Sequence, residues 1–163
     1  MEQYIKKIQG EFSLKHIENI LDQLKDINVL VIGDTILDQY TFVKLKGRAI
    51  KDPILSTEFK EQETYAGGIL VIANHISSFV KNIKLVTLLG DQEPQIEFIK
   101  EHLAENIDPT FFTKKNTPTI VKRRYIDAYK KSILFKVEYM NDSPIDKELT
   151  DSINTYLEQE LPK

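Results

Sequence analysis

Val29-Leu30-Val31-Ile32-Gly33-Asp34-Thr35-Ile36-Leu37-Asp38 is the stretch on which the fold turns. Its first four residues are apolar and three of them are β-branched, and the run breaks off at glycine and aspartate. Such a run suits a short strand buried on both faces, as in a parallel α/β sheet. Polar residues just past the carboxyl end of such a strand stand where open α/β sheets bind ligands, and Asp34 and Asp38 occupy that place. Two carboxylates there can accept hydrogen bonds from sugar hydroxyls. The plainer alternative is that Asp34 caps a turn and Asp38 faces solvent.

Upstream, Ser13 is placed to cap a helix over Leu14–Lys25. Leu14, Ile17, Ile20, Leu21 and Leu24 form one apolar face, expected to pack on the sheet. Downstream, Gln39–Lys46 and Ile54–Thr64 mix aromatic, hydroxyl and charged residues with partial alternation, Tyr40 and Phe42 sharing a face. This predicts half-exposed β structure on either side of a loop at Lys44–Pro53, a β-lid of residues 39–64 inserted after the first core strand. Gly67-Gly68 then opens a helix over Ile69–Phe79. A second core strand, Lys84–Leu89, ends at Gly90-Asp91. A helix over Gln95–Asn106 has Ile96, Ile99, Lys100 and Leu103 as its inner face. Strands follow around Thr110–Thr113, Thr119–Asp127 and Ser132–Tyr139, then a helix over Lys147–Glu160 that ends at Leu161-Pro162-Lys163.

The 163 residues fit one domain, and 41% hydrophobic with 29% charged residues is an ordinary globular composition. There is no cysteine, which excludes disulfides and thiolate metal sites and is compatible with the cytoplasm. The net charge of −3 and the dispersed basic residues argue against a nucleic-acid partner. No apolar run has the length of a membrane span, and residues 1–10 lack a signal-peptide core. His16, His75 and His102 have no metal-ligand spacing, and no nucleophilic triad is discernible.

Two further features carry chemistry. Gly67-Gly68 before a helix lets backbone N–H groups approach a bound oxygen, although glycine pairs also mark plain turns. Neither the Walker A pattern nor the dinucleotide fingerprint is present. Lys122 and Arg124 share one face of a strand and can meet a phosphate; a solvated strand face is the alternative.

The order of these motifs is more specific than any one of them. Val29 to Tyr40, then Tyr65-Ala66-Gly67-Gly68, then Lys84 to Asp91, then Thr117 to Tyr125 resemble the PfkB family of ribokinase-like carbohydrate kinases, in particular its heptose-phosphate kinases. The resemblance runs over Ile27–Glu160. It implies the N-terminal part of a ribokinase-like three-layer α/β sandwich, with lid strands that cover the sugar and often form a homodimer. It implies that Asp38 and Asp34 bind sugar hydroxyls, that Gly67 and Gly68 lie against the sugar, and that Lys122 and Arg124 face a sugar phosphate.

Two departures qualify it. The family's sugar-binding Asn falls on Val71, which has neither the donor nor the acceptor of an amide. The family's Gly-Ala-Gly-Asp run, which supplies the anion hole and the catalytic base, is absent from these residues. The expectation is therefore a sugar-binding portion of an ATP- and Mg-dependent kinase, inactive alone, with no catalytic residue of its own. The alternative is a non-catalytic self-association or partner-binding module derived from one. A Rossmann nucleotide-binding domain is the weakest reading.

Overall fold

One strand, β1 (Asn28–Arg48), runs through most of the molecule and changes partners along its length. A computed structural model describes residues 1–49 and 51–161 of the chain. Ile50, within the expected loop, and Pro162 and Lys163, at the expected chain end, lie outside the described residues.

The lower half of β1 belongs to a parallel core. Residues Asn28 to Asp34 pair with β3 (Asn82–Gln92), which pairs in turn with β4 (Ile107–Pro118). The upper half belongs to the lid. Thr35 to Arg48 pair antiparallel with β2 (Leu55–Gly68), while Ile36 to Val43 pair in parallel with β5 (Ile120–Asp127). β6 (Ile133–Tyr139) closes this part antiparallel to β5. The whole is one six-stranded sheet.

The strand expected to stop at Ile32 therefore does not stop at Gly33-Asp34. The reason is pairing: β2 and β5 take over the hydrogen-bonding groups of β1 where β3 leaves them, so nothing forces a turn. Gly33 serves helix packing instead. A Cβ there would lie 3.1 Å from Ile69 Cδ1, so glycine lets the following helix close onto the sheet. The expected loop at Lys44–Pro53 is likewise shorter, because β1 continues to Arg48 and β2 begins at Leu55.

Helices α3 (Ile69–Ser77) and α4 (Ile96–Glu101) cover one face of the core. Leu37, Leu70, Ile83, Leu85 and Ile99 are almost wholly buried there. Each such side chain contributes about 1.5–3 kcal/mol. Helix α5 (Lys147–Glu160) lies on the other face, with Tyr156 bonded to Thr110 at 2.9 Å and Glu160 ion-paired to Lys84. Asp146 caps it by accepting from Leu149 N.

Two expected helices differ. α4 is shorter than Gln95–Asn106, because Gln95 has a positive φ of 60° and the helix ends before His102. Lys100 is exposed, as its charged head demands, while Ile99 is buried. At the N-terminus lie α1 (Glu2–Glu11) and α2 (Leu14–Leu24), the latter capped by Ser13 as expected. The apolar stripe of α2 does not pack on the sheet: Ile17, Ile20 and Leu21 remain 40–44% exposed. Glu18, Leu21, Asp22 and Lys25 face Ser78 and Phe79 across an open cleft. Periodicity marks a face able to be buried and does not supply the surface that buries it.

Candidate functional site

The two carboxylates of the opening motif are on the same face of β1, four residues apart, or about 13 Å along an extended strand. They serve different clefts. Asp34 is exposed and lines a cleft of about 260 Å³ with Gly90, Lys114 and Ser143. Asp38 is three-quarters buried and lines a separate lid cleft of about 350 Å³ with Tyr40, Phe42, Glu63 and Tyr65. A single small hydroxyl pair therefore cannot be gripped by both.

Asp38 is the centre of the lid cleft. In register it faces Tyr65 on β2 and Lys122 on β5, while Tyr40 faces Glu63 and Arg124. Alternation then places Asp38, Tyr40, Lys122, Arg124, Glu63 and Tyr65 on one face of the lid. Asp38 Oδ1 accepts a charge-assisted bond from Arg124 Nη1 at 2.5 Å. That bond holds the Arg124 guanidinium charged even more firmly than usual, against a smaller desolvation effect. The guanidinium also lies over the Tyr40 ring, 5.3 Å from its centroid. Tyr40 and Tyr65 meet edge to face at 5.7 Å. Tyr65 donates to Glu63 at 2.7 Å, and this bond raises its phenol pKa.

The glycine pair closes the site from below. Gly67 is buried directly against the Asp38 carboxylate, and a Cβ at Gly67 would occupy the space of Asp38 Oδ2. Gly68 has a φ of 56°, and a Cβ there would come within 2.6 Å of Asp34 O. The pair ends β2 and starts α3 in one step. Asp38, Gly67, Lys122 and Arg124 thus come together, and Gly68 adjoins the Asp34 backbone. The Asp34 side chain stands apart.

Val71 is exposed on the first turn of α3. Asn74 offers no substitute amide, since its Nδ2 donates to His102 O and its Oδ1 accepts from Ala104 N. Asp91 is structural: its oxygens accept from Asn116 N and Thr117 N, which lowers its pKa. Tyr65 and Glu63 line this cleft, and the sequence reading did not single them out as candidates. The available signal was the pattern of a carboxylate and a tyrosine two residues apart, present on β1 as Asp38-Gln39-Tyr40 and again across the hairpin as Glu63-Thr64-Tyr65.

No family model matches the sequence. The Bifunctional protein HldE of Helicobacter pylori (strain G27) is 30% identical over 134 residues, which are 82% of this chain and 27% of that protein. The Bifunctional protein HldE of Haemophilus influenzae (strain PittEE) is 28% identical over 120 residues, 74% of this chain and 25% of that protein. Among solved structures, the ribokinase of Giardia lamblia superposes with a TM-score of 0.53 at 15% identity, covering 80% of this chain and 41% of that one. The chain resembles the PfkB family of ribokinase-like carbohydrate kinases. Its α/β fold is that of the family's sugar kinases, and it spans about a quarter of the length of the HldE relatives. Among the described residues no group of side chains is arranged to hold a metal ion, and no helix is long and apolar enough to cross a membrane.

Proposed function

We propose that this chain is the sugar-recognising part of a PfkB-family kinase acting in the cytoplasm, and that its ligand is a phosphorylated sugar of the heptose-phosphate type. The observation that carries the reading is the Asp38 carboxylate seated on Gly67 with Arg124 and Lys122 beside it on the same face. A carboxylate suits sugar hydroxyls, and an arginine with a lysine suits a phosphate ester. Tyr40 and Tyr65 add apolar surface for a sugar ring.

Phosphoryl transfer needs a phosphate clamp, a positioned base and a nucleotide pocket. These residues contain no Gly-Ala-Gly-Asp run to supply them, and ATP with Mg²⁺ would belong to a full-length kinase. The core supports this view. Among the described residues Asn28 to Asp34 pair with β3 alone, and Ile32 is 52% exposed on that strand. The open edge of an apolar strand is a template on which a further strand can pair.

Calorimetry with a manno-heptose 7-phosphate tests the reading. The chain is expected to bind it, and Asp38→Ala to weaken binding about tenfold or more. With ATP and Mg²⁺ added, no ADP is expected. ADP release by the pure chain would refute the inactive-portion reading, and equal binding by Asp38→Ala would remove the site.

A second reading is self-association through the opposite face of the lid. It is favoured by Phe135 and Tyr139, which are 48% and 40% exposed there. Light scattering at rising concentration tests it, and a monomer throughout removes it.

A further inference from the structure

The register of the lid contains a mismatch. Asp38 stands directly opposite Lys122, yet its ion pair is with Arg124, whose own cross-strand neighbour is Tyr40. Arg124 reaches diagonally along the sheet to Asp38, while Lys122 donates no hydrogen bond among the described residues and faces Glu138 on β6. Two cations are therefore placed by register beside one carboxylate, and the diagonal one holds it. The Tyr40 ring under the guanidinium gives Arg124 a second resting place once Asp38 is released.

We propose that Arg124 is a specificity-determining residue that works by exchange; the proposal rests on the sugar-phosphate reading of this cleft. Without ligand, Arg124 occupies Asp38 Oδ1 and withholds it from hydroxyls. A phosphate ester beside Lys122 draws Arg124 onto its own oxygens, and Oδ1 becomes free to accept from a sugar hydroxyl. An unphosphorylated sugar must break the Asp38–Arg124 bond and offers the guanidinium nothing in return. Inorganic phosphate takes the guanidinium but leaves Asp38 unpaired near a second anion. A ligand that carries both groups escapes both penalties, so its binding exceeds what the two parts predict.

Charge-assisted hydrogen bonds of this kind change equilibria by about tenfold or more. The test is calorimetry on the full chain with three probes: a manno-heptose, its 7-phosphate and inorganic phosphate. The wild-type chain is expected to prefer the heptose phosphate over the free heptose by about a hundredfold. Arg124→Met is expected to bind the free heptose about tenfold more tightly than wild type and to lose most of the preference.

Loss of affinity for free heptose and heptose phosphate alike in Arg124→Met would overturn the exchange and leave Arg124 a simple clamp. Wild-type silence toward all three probes would overturn the site reading and the exchange together. Binding of heptose phosphate with unchanged discrimination in the variant would overturn the exchange alone. Should Arg124→Met fail to fold, the Arg124 Nε–H resonance of the wild-type chain decides. It is expected to shift at a heptose phosphate concentration at which free heptose leaves it in place, and an equal shift with both at that concentration overturns the proposal.

Discussion

Adjacent glycines at 67 and 68 meet two different demands. Gly67 is a matter of space, since the Asp38 carboxylate lies where its Cβ would be. Gly68 is a matter of backbone, with a φ of 56° in the region L side chains avoid and the Asp34 carbonyl at 2.6 Å from any Cβ. Gly68→Ala is therefore expected to lower stability by about 1–3 kcal/mol, read from urea unfolding. An unchanged midpoint would mean that the β2-to-α3 step relaxes without strain. The placement of Asp38 beside the glycine pair was legible in the sequence because both belong to ordered motifs. Glu63 and Tyr65 were not, because they enter the cleft only through the β1–β2 register, which no local pattern specifies. The separation of Asp34 from Asp38 was hidden for a related reason: the apolar run reads as a strand that ends before both of them, and the strand continues through them.

Where β1 passes from core to lid, the seam with β3 holds a buried pair of hydroxyls. Thr35 and Thr87 are 0% and 2% exposed and their Oγ1 atoms are 2.8 Å apart. Thr87 Oγ1 donates to Gly33 O at 2.7 Å, so its one proton is committed and Thr35 must be the donor between them. Thr87→Val removes the acceptor and leaves the Thr35 hydroxyl buried without a partner, at a cost of about 1–3 kcal/mol. Adding Thr35→Val removes the orphaned group and is expected to recover part of that loss. A double variant no more stable than Thr87→Val would show that Thr35 finds another acceptor. The elements themselves were largely legible: α5 occupies the expected Lys147–Glu160, and β5 closely follows the expected Thr119–Asp127. Periodicity identified them because each has one face against its neighbours. It failed for α2, whose apolar stripe is real and whose partner surface is missing among the described residues.

At the scale of the molecule, two of the open apolar surfaces make different predictions. One is α2, where no residue is buried and Leu14 is 74% exposed. The other is the outer face of the lid, where Tyr125 and Phe135 stack at 4.4 Å and Arg123 lies over the Tyr139 ring at 5.0 Å. The lid face is ordered by cross-strand pairs before any partner arrives, so it can associate at little cost in side-chain entropy. The helix stripe has no such support and would have to be fixed on binding. Association is therefore expected to run through the lid. Phe135→Glu should abolish a dimer seen by light scattering, because it places a charge in the middle of the apolar face. The variant also forfeits the stack on Tyr125, worth about 0.5–1.5 kcal/mol, so its fold is checked by circular dichroism at the same concentration. Removal of residues 1–26 is the control, and it should leave the dimer intact. A dimer that survives Phe135→Glu and dissolves on that truncation would assign self-association to α2 and release the lid face for another use.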